Sequence, residues 1–314
     1  MGIARAATAA ALGIALLGLA ATEAAAQRIA RGQQIDTTFA FPADGDIEIR
    51  MPHLGSGSAD VTVTGWSRNE VRVVGEANRG ELSVDVSGRH LDVGTRSDGG
   101  RTRVERLEVS VPAGARVRIN NGGGDITIRG LRGGVEASSF NGDIELSDLG
   151  DRVEVKTFNG DITASNVTGR VSANASNGDV ALRDVRGEIE VGTLNGDITL
   201  TGITSRDVRA KTMSGTIRYD GSLESGGEYS LNAFSGEIDM TIPRNTGATL
   251  SVSTFSGTID SPDIPLILTP GTRARESKGQ SMTFQLGNGG ARISLESFSG
   301  EIRIHERRAG GSTN

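Results

Sequence analysis

Between Val135 and Leu200, apolar and polar residues alternate in short runs, and the runs recur. Val153-Glu154-Val155 precedes an Asn-Gly pair, Ile162-Thr163-Ala164 follows it, and a second Gly-bearing turn from Val167 to Arg170 leads into the restart at Val171. Alternation at period 2 broken by Gly, Asn and Asp reads as strand, turn, strand, turn. Four copies stand in a row, SSFNGDIEL, KTFNGDITA, NASNGDVAL and GTLNGDITL, and Gly142, Gly160, Gly178 and Gly196 recur every 18 residues. Two short strands cannot bury an apolar face alone. Stacked copies make a continuous core and an unbroken hydrogen-bond ladder. The pattern predicts an all-β fold, a single-stranded parallel β-solenoid (β-helix) with coils of 18 to 21 residues and an irregular N-terminal β cap.

The columns of the repeat sort by side. Val153, Val171, Ile189 and Val208 alternate with Glu154, Ser172, Glu190 and Arg209, so the first set is expected inside and the second in water. One step before the Gly corner the residues are small (Ser139, Thr157, Ala175, Thr193, Thr212, Ala233). The next column is large and apolar, with Phe140, Phe158, Leu194, Met213, Phe234, Phe255 and Phe298 interrupted by Ser176. We read that column as an apolar plug of the corner. Val155 and Ile162 should both point inward yet lie an odd number of residues apart, and Gly160 absorbs the break by taking φ > 0.

Outside these copies the pattern loosens. Residues 27–115 carry period-2 runs at Asp46 to Arg50, Asp60 to Thr64, Glu70 to Val74, Leu82 to Val86 and Arg106 to Val111, and are expected to cap the open edge of the first coil. Asn121-Gly-Gly-Gly-Asp125-Ile126 looks like a degenerate first copy. Residues 116–306 are assigned to the solenoid. Its later copies end in Ser-Gly (Gly215, Gly236, Gly257), and Gly300 is placed about two coils beyond Gly257. Residues 261–280, with three prolines, are expected to form the one substantial loop, and residues 307–314 a disordered tail.

Residues 1–26 have Arg5, an apolar run from Ala9 to Ala21, and Ala24-Ala25-Ala26. These are the parts of a signal peptide cut before Gln27, and the run is shorter than the ~20 residues of a spanning helix. The chain is therefore expected to be exported, to the periplasm, cell surface or medium, with no transmembrane segment in its mature form. The 314 residues include 45 Gly and 4% aromatics, which suits many tight turns and a slender core. A net charge of −6 without a basic stripe argues against a nucleic-acid partner, and the absence of cysteine excludes disulfides and thiolate metal sites.

The FNGDI and FSGEI copies, Val61 to Trp66, Glu70 to Val74, and Val109-Ser-Val-Pro112-Ala-Gly resemble the bacterial β-strand-repeat family of putative adhesins, whose function is unknown. The resemblance spans nearly all of the mature chain. It implies an exported parallel β-solenoid and carries over no catalytic residue.

Candidate chemistry is sparse. His53, His90 and His305 lie far apart and near no nucleophile pattern, and HExxH, GxSxG and P-loop motifs are missing. Asp143, Asp161, Asp179 and Asp197 stand beside Asn141, Asn159, Asn177 and Asn195, about 4.8 Å apart once coils stack. Calcium could bridge such carboxylates; alternatively the Asn amides form a ladder and each Asp caps turn amides. The nine-residue calcium repeat is not matched, which favours capping, with no metal and no cofactor. The resulting expectation is a non-enzymatic, adhesin-like binding or envelope scaffold protein. Its repetitive outer face would meet a cell-surface or envelope polysaccharide or protein. A polysaccharide-active enzyme and a purely architectural envelope protein are the alternatives.

Overall fold

The computed structural model describes residues 25–29, 33–51, 59–79, 81–96, 103–244, 246–262, 264 and 280–307. The described residues form a 25-stranded β-sheet system in which each repeat contributes one coil of a parallel solenoid. Val135–Asn141 pairs with Val153–Asn159, then Val171–Asn177, Ile189–Asn195 and Asp207–Ser214. Ile144–Gly150 pairs likewise with Ile162–Thr168, Val180–Arg186 and onward. The register is that of the repeat, with Val153 beside Val171 and Ile162 beside Val180. Val155, Ile162, Ala164, Leu182 and their equivalents fill the interior as one continuous core.

Each coil turns at three places. At the Asn-Gly corner, Gly160 has φ +140°, and a Cβ there would stand 2.2 Å from the carbonyl oxygen of Gly142 in the preceding coil. Glycine is required twice over, for its backbone angle and for the close approach of the coils. A second corner, not anticipated from the pattern, lies at Asp148, Asn166, Asp184 and Gly202, all left-handed with φ between 54° and 67°. Asp and Asn tolerate that conformation better than other side chains. This kink allows Leu146 and Leu149, three residues apart, both to be buried. The third is the Gly169 turn, where φ is +136°.

The order of coils in space departs from the order in the chain at both ends. Asp46–Met51 and Asp60–Trp66 lie directly against Arg116–Asn121 and Ile126–Arg129, pairing Ile47 with Val117 and Val61 with Ile126. His90–Arg96 and Arg103–Pro112 stack on the other side of that coil. The N-terminal β region thus supplies two coils as well as the cap. The cap consists of Ala25–Ile29, Gln33–Ala40, Glu70–Arg79 and Glu81–Ser87, all antiparallel.

At the far end, Ala291–Glu306 inserts between the coil of Glu228–Ser235 with Ile238–Ile242 and the strand Ala248–Asp260. Gly300 is therefore the immediate neighbour of Gly257, not two coils away. The chain makes its outermost coil, reverses through the antiparallel strand Gln280–Leu286, and returns to fill the coil beneath. Antiparallel strands lie at both ends, as the need to cover open ladder edges requires.

Most of the 261–280 loop, the segment 308–314, His53 and residues 1–24 lie outside the described residues. No helix among the described residues is long and apolar enough to cross a membrane.

Candidate functional site

The turn at the Asn-Gly corner brings the ladder residues together. Each Asp accepts, on Oδ1, the backbone N–H of the equivalent residue in the next coil. Asp143 accepts from Asp161 at 2.8 Å, Asp161 from Asp179 at 2.8 Å, and Asp179 from Asp197 at 2.7 Å. The row runs further than the four copies, since Asp125 accepts from Asp143 at 2.9 Å and Asp60 from Asp125 at 3.1 Å. Its last member, Asp197, accepts the Thr216 N–H at 2.8 Å and pairs with Arg218 at 2.9 Å. The Thr216 N–H and then the Arg218 guanidinium hold the Asp197 carboxyl below the usual carboxylate range. Beside this row the Asn amides donate side chain to side chain: Asn159 to Asn141 at 2.8 Å, Asn177 to Asn159 at 3.1 Å and Asn195 to Asn177 at 2.9 Å.

The small column before the corner is buried, and three of its threonines bond to the preceding coil. Thr157, Thr193 and Thr212 donate to the carbonyls of Gly142, Gly178 and Gly196. Three rows of lateral hydrogen bonds thus lock the corner of one coil to the next.

The apolar column after it does not plug the corner. Phe140, Phe158, Leu194, Met213, Phe234, Phe255 and Phe298 are 42 to 55% exposed. The small residue of the preceding column already fills the interior, and alternation sends its successor outward. Phe140 stacks on Phe158 with ring centroids 4.9 Å apart and planes 6° from parallel. Phe298 stacks between Phe234 and Phe255, at 4.9 Å and 4.8 Å and within 4°. Apolar identity does not mean burial here; the parity of the strand itself is the signal in the sequence that sends this column outward. Rings stacked along the axis cover one another's faces and turn their edges to solvent.

The same outer side carries two polar columns. Where Gly192 interrupts one of them, a groove of about 440 Å³ opens between Asn174, Lys211, Leu194 and Met213. A second groove, of about 380 Å³, lies nearer the N terminus against Glu48, His90, Arg118 and Glu136. Glu48, His90 and Asp92 come close enough to share a cation, but Arg50 pairs with both carboxylates and already supplies the positive charge. His305 sits 3.7 Å from Asp239, far along the solenoid from His90. Glu154 is held below the usual carboxylate range by Lys156 and Arg152, which bond it from either side.

Residues 47–305 match the family model Toastrack DUF4097. The chain belongs to the Toastrack family. No curated protein matches it. Solved structures similar to this Toastrack chain include a putative adhesin from Parabacteroides distasonis, with 11% identity, TM-score 0.45, and coverage of 88% of this chain and 98% of that one. A putative adhesin from Bacteroides fragilis has 12% identity and TM-score 0.40, covering 87% and 97%. A putative lipid binding protein from Parabacteroides distasonis has 12% identity and TM-score 0.38, covering 89% and 98%.

Proposed function

We propose that this Toastrack protein is an exported, non-enzymatic binding or scaffold protein that holds a repeating partner along its outer face. The observation that carries this reading is the constancy of register. Glu154, Ser172 and Glu190 form one outward row and Thr163, Ala181 and Thr199 another, each member advanced by one coil. A cell-surface or envelope polysaccharide, itself a repeat, can engage several coils at once, and weak contacts then sum through effective concentration. The lateral bonds of the corner hold such rows in place, which preserves their spacing. We divide the chain functionally into a signal peptide (1–26), an N-terminal region (27–115) that caps the solenoid and adds two coils to it, and a repeat region (116–306).

The test is titration with envelope polysaccharide fragments of graded length. Affinity should climb with fragment length until the fragment spans the row. Affinity independent of length, or turnover of the polysaccharide, contradicts the reading.

A further inference from the structure

The outer side that bears the aromatic row is complementary to itself in reverse. In coil order the row reads Phe140, Phe158, Ser176, Leu194, Met213, Phe234, Phe298, Phe255. Turned end for end on a second copy, Leu194 meets Met213, the two terminal pairs of Phe meet each other, and the large Phe234 meets the gap at Ser176.

A two-fold axis lying parallel to the strands keeps each column opposite itself, so the polar columns can be read the same way. The column Ser138, Lys156, Asn174, Gly192, Lys211, Asn232, Glu296, Ser253 sets Lys156 against Glu296 and Asn174 against Asn232. It also aims Lys211 into the groove left by Gly192. In the column Glu136, Glu154, Ser172, Glu190, Arg209, Ser230, Ser294, Ser251, Glu190 falls opposite Arg209. Neither column sets like charges opposite each other. At the corner Asn141, Asn159, Asn177 and Asn195 face Ser256, Ser299, Ser235 and Ser214, pairing amides with hydroxyls throughout.

We propose that this side is a homodimer interface in which a second copy of the chain lies antiparallel, with the two-fold between Leu194 and Met213. Ring planes within 6° of parallel at both ends of the row show little rotation from one coil to the next there, as an end-to-end match needs. Eight coils at about 4.8 Å and a seven-residue strand of about 20 Å give a face on the order of 700 Å². That is close to the ~800 Å² per partner of a stable interface. An exposed apolar row of this extent is itself the mark of a contact surface. The inference does not depend on the polysaccharide reading; if it holds, a polymer is left the side that carries Thr163 and Thr199.

Sedimentation of the purified protein should give twice the chain mass, and Met213→Asp should return it to a monomer that still melts cooperatively, since Met213 is half exposed, at a temperature lowered only by the lost association. Register is tested by cysteine. The natural chain has none, so Ser176→Cys protein mixed with Phe234→Cys protein should form a disulfide-linked pair, whereas neither alone should do so to comparable yield. A monomer at micromolar concentration overturns the proposal, as does a dimer indifferent to Met213→Asp or one that cross-links only between like positions. So does a monomer that takes up a fluorescent apolar dye along the row.

Discussion

Asp161 and Asp179 are joined by one bond: the Asp161 carboxylate accepts the Asp179 backbone N–H at 2.8 Å. Each carboxylate from Asp143 to Asp197 thus has a fixed neutral donor, and we expect the stack to stand without a bound metal ion. Calcium addition or a chelator should leave the melting temperature where it is. Asp161→Ala should cost about 1 kcal/mol by orphaning the Asp179 amide, while Asp161→Asn, which keeps an acceptor, should cost less. A calcium-dependent rise of several degrees that vanishes in the double variant Asp161→Asn, Asp179→Asn would establish the ladder as a metal site.

Gly160→Val should destabilise the protein far more than Thr163→Val. The first forces a side chain into the Gly142 carbonyl and an unsuitable backbone angle, at about 2 kcal/mol or more; the second changes an exposed strand position that valine suits. Val155→Asp should be worse than either, because Val155 is fully buried and a charge there has no partner. Thermal melts of the three variants decide it, and equal values for Gly160→Val and Thr163→Val would refute the corner geometry.

Much of this was legible in the sequence. Register came from the spacing of Gly142, Gly160, Gly178 and Gly196, since a strict repeat leaves one way to stack. The true order of the end coils was not, because Asp46–Met51 and Asp60–Trp66 have the alternation of a coil without its Asn-Gly signature. Ladder pairing also joins segments without regard to their distance in the chain, as Gly257 and Gly300 do. The exposure of Phe158 and Phe234 runs against the expectation that their size sets, because strand parity, not ring size, decides which way they point. The Asp148 corner was hidden because Asp, Asn and Gly share tolerance of the left-handed region, not a letter.

Acid should weaken the fold through Asp197. Its pKa is lowered in the folded chain, so its contribution to stability is complete above the unfolded value of about 3.9 and is lost as pH falls through the folded one. The melting temperature should hold near neutrality and drop below pH ~4. In Asp197→Asn that drop should be smaller; an identical acid profile would remove Asp197 from the cause.

Processing should leave Gln27 as the first residue of the exported protein. The strand Ala25–Ile29 would then keep Gln27, Arg28 and Ile29 in pairing with Val84, Ser83 and Leu82. Intact-mass measurement of protein recovered from the periplasm or medium checks this. A membrane-retained chain that still carries residues 1–26 would refute export with cleavage.

Deleting one internal copy, Val153 to Arg170, tests most directly whether a stack of interchangeable coils makes the contacts. Each coil pairs only with its neighbours, so Val135 can take Val171 as its new partner and the protein should still melt cooperatively. Binding to long envelope polysaccharide, measured by calorimetry, should weaken in proportion to the coil removed. Complete loss of binding from a folded deletion variant would contradict contacts distributed along the solenoid and point to a single localised site.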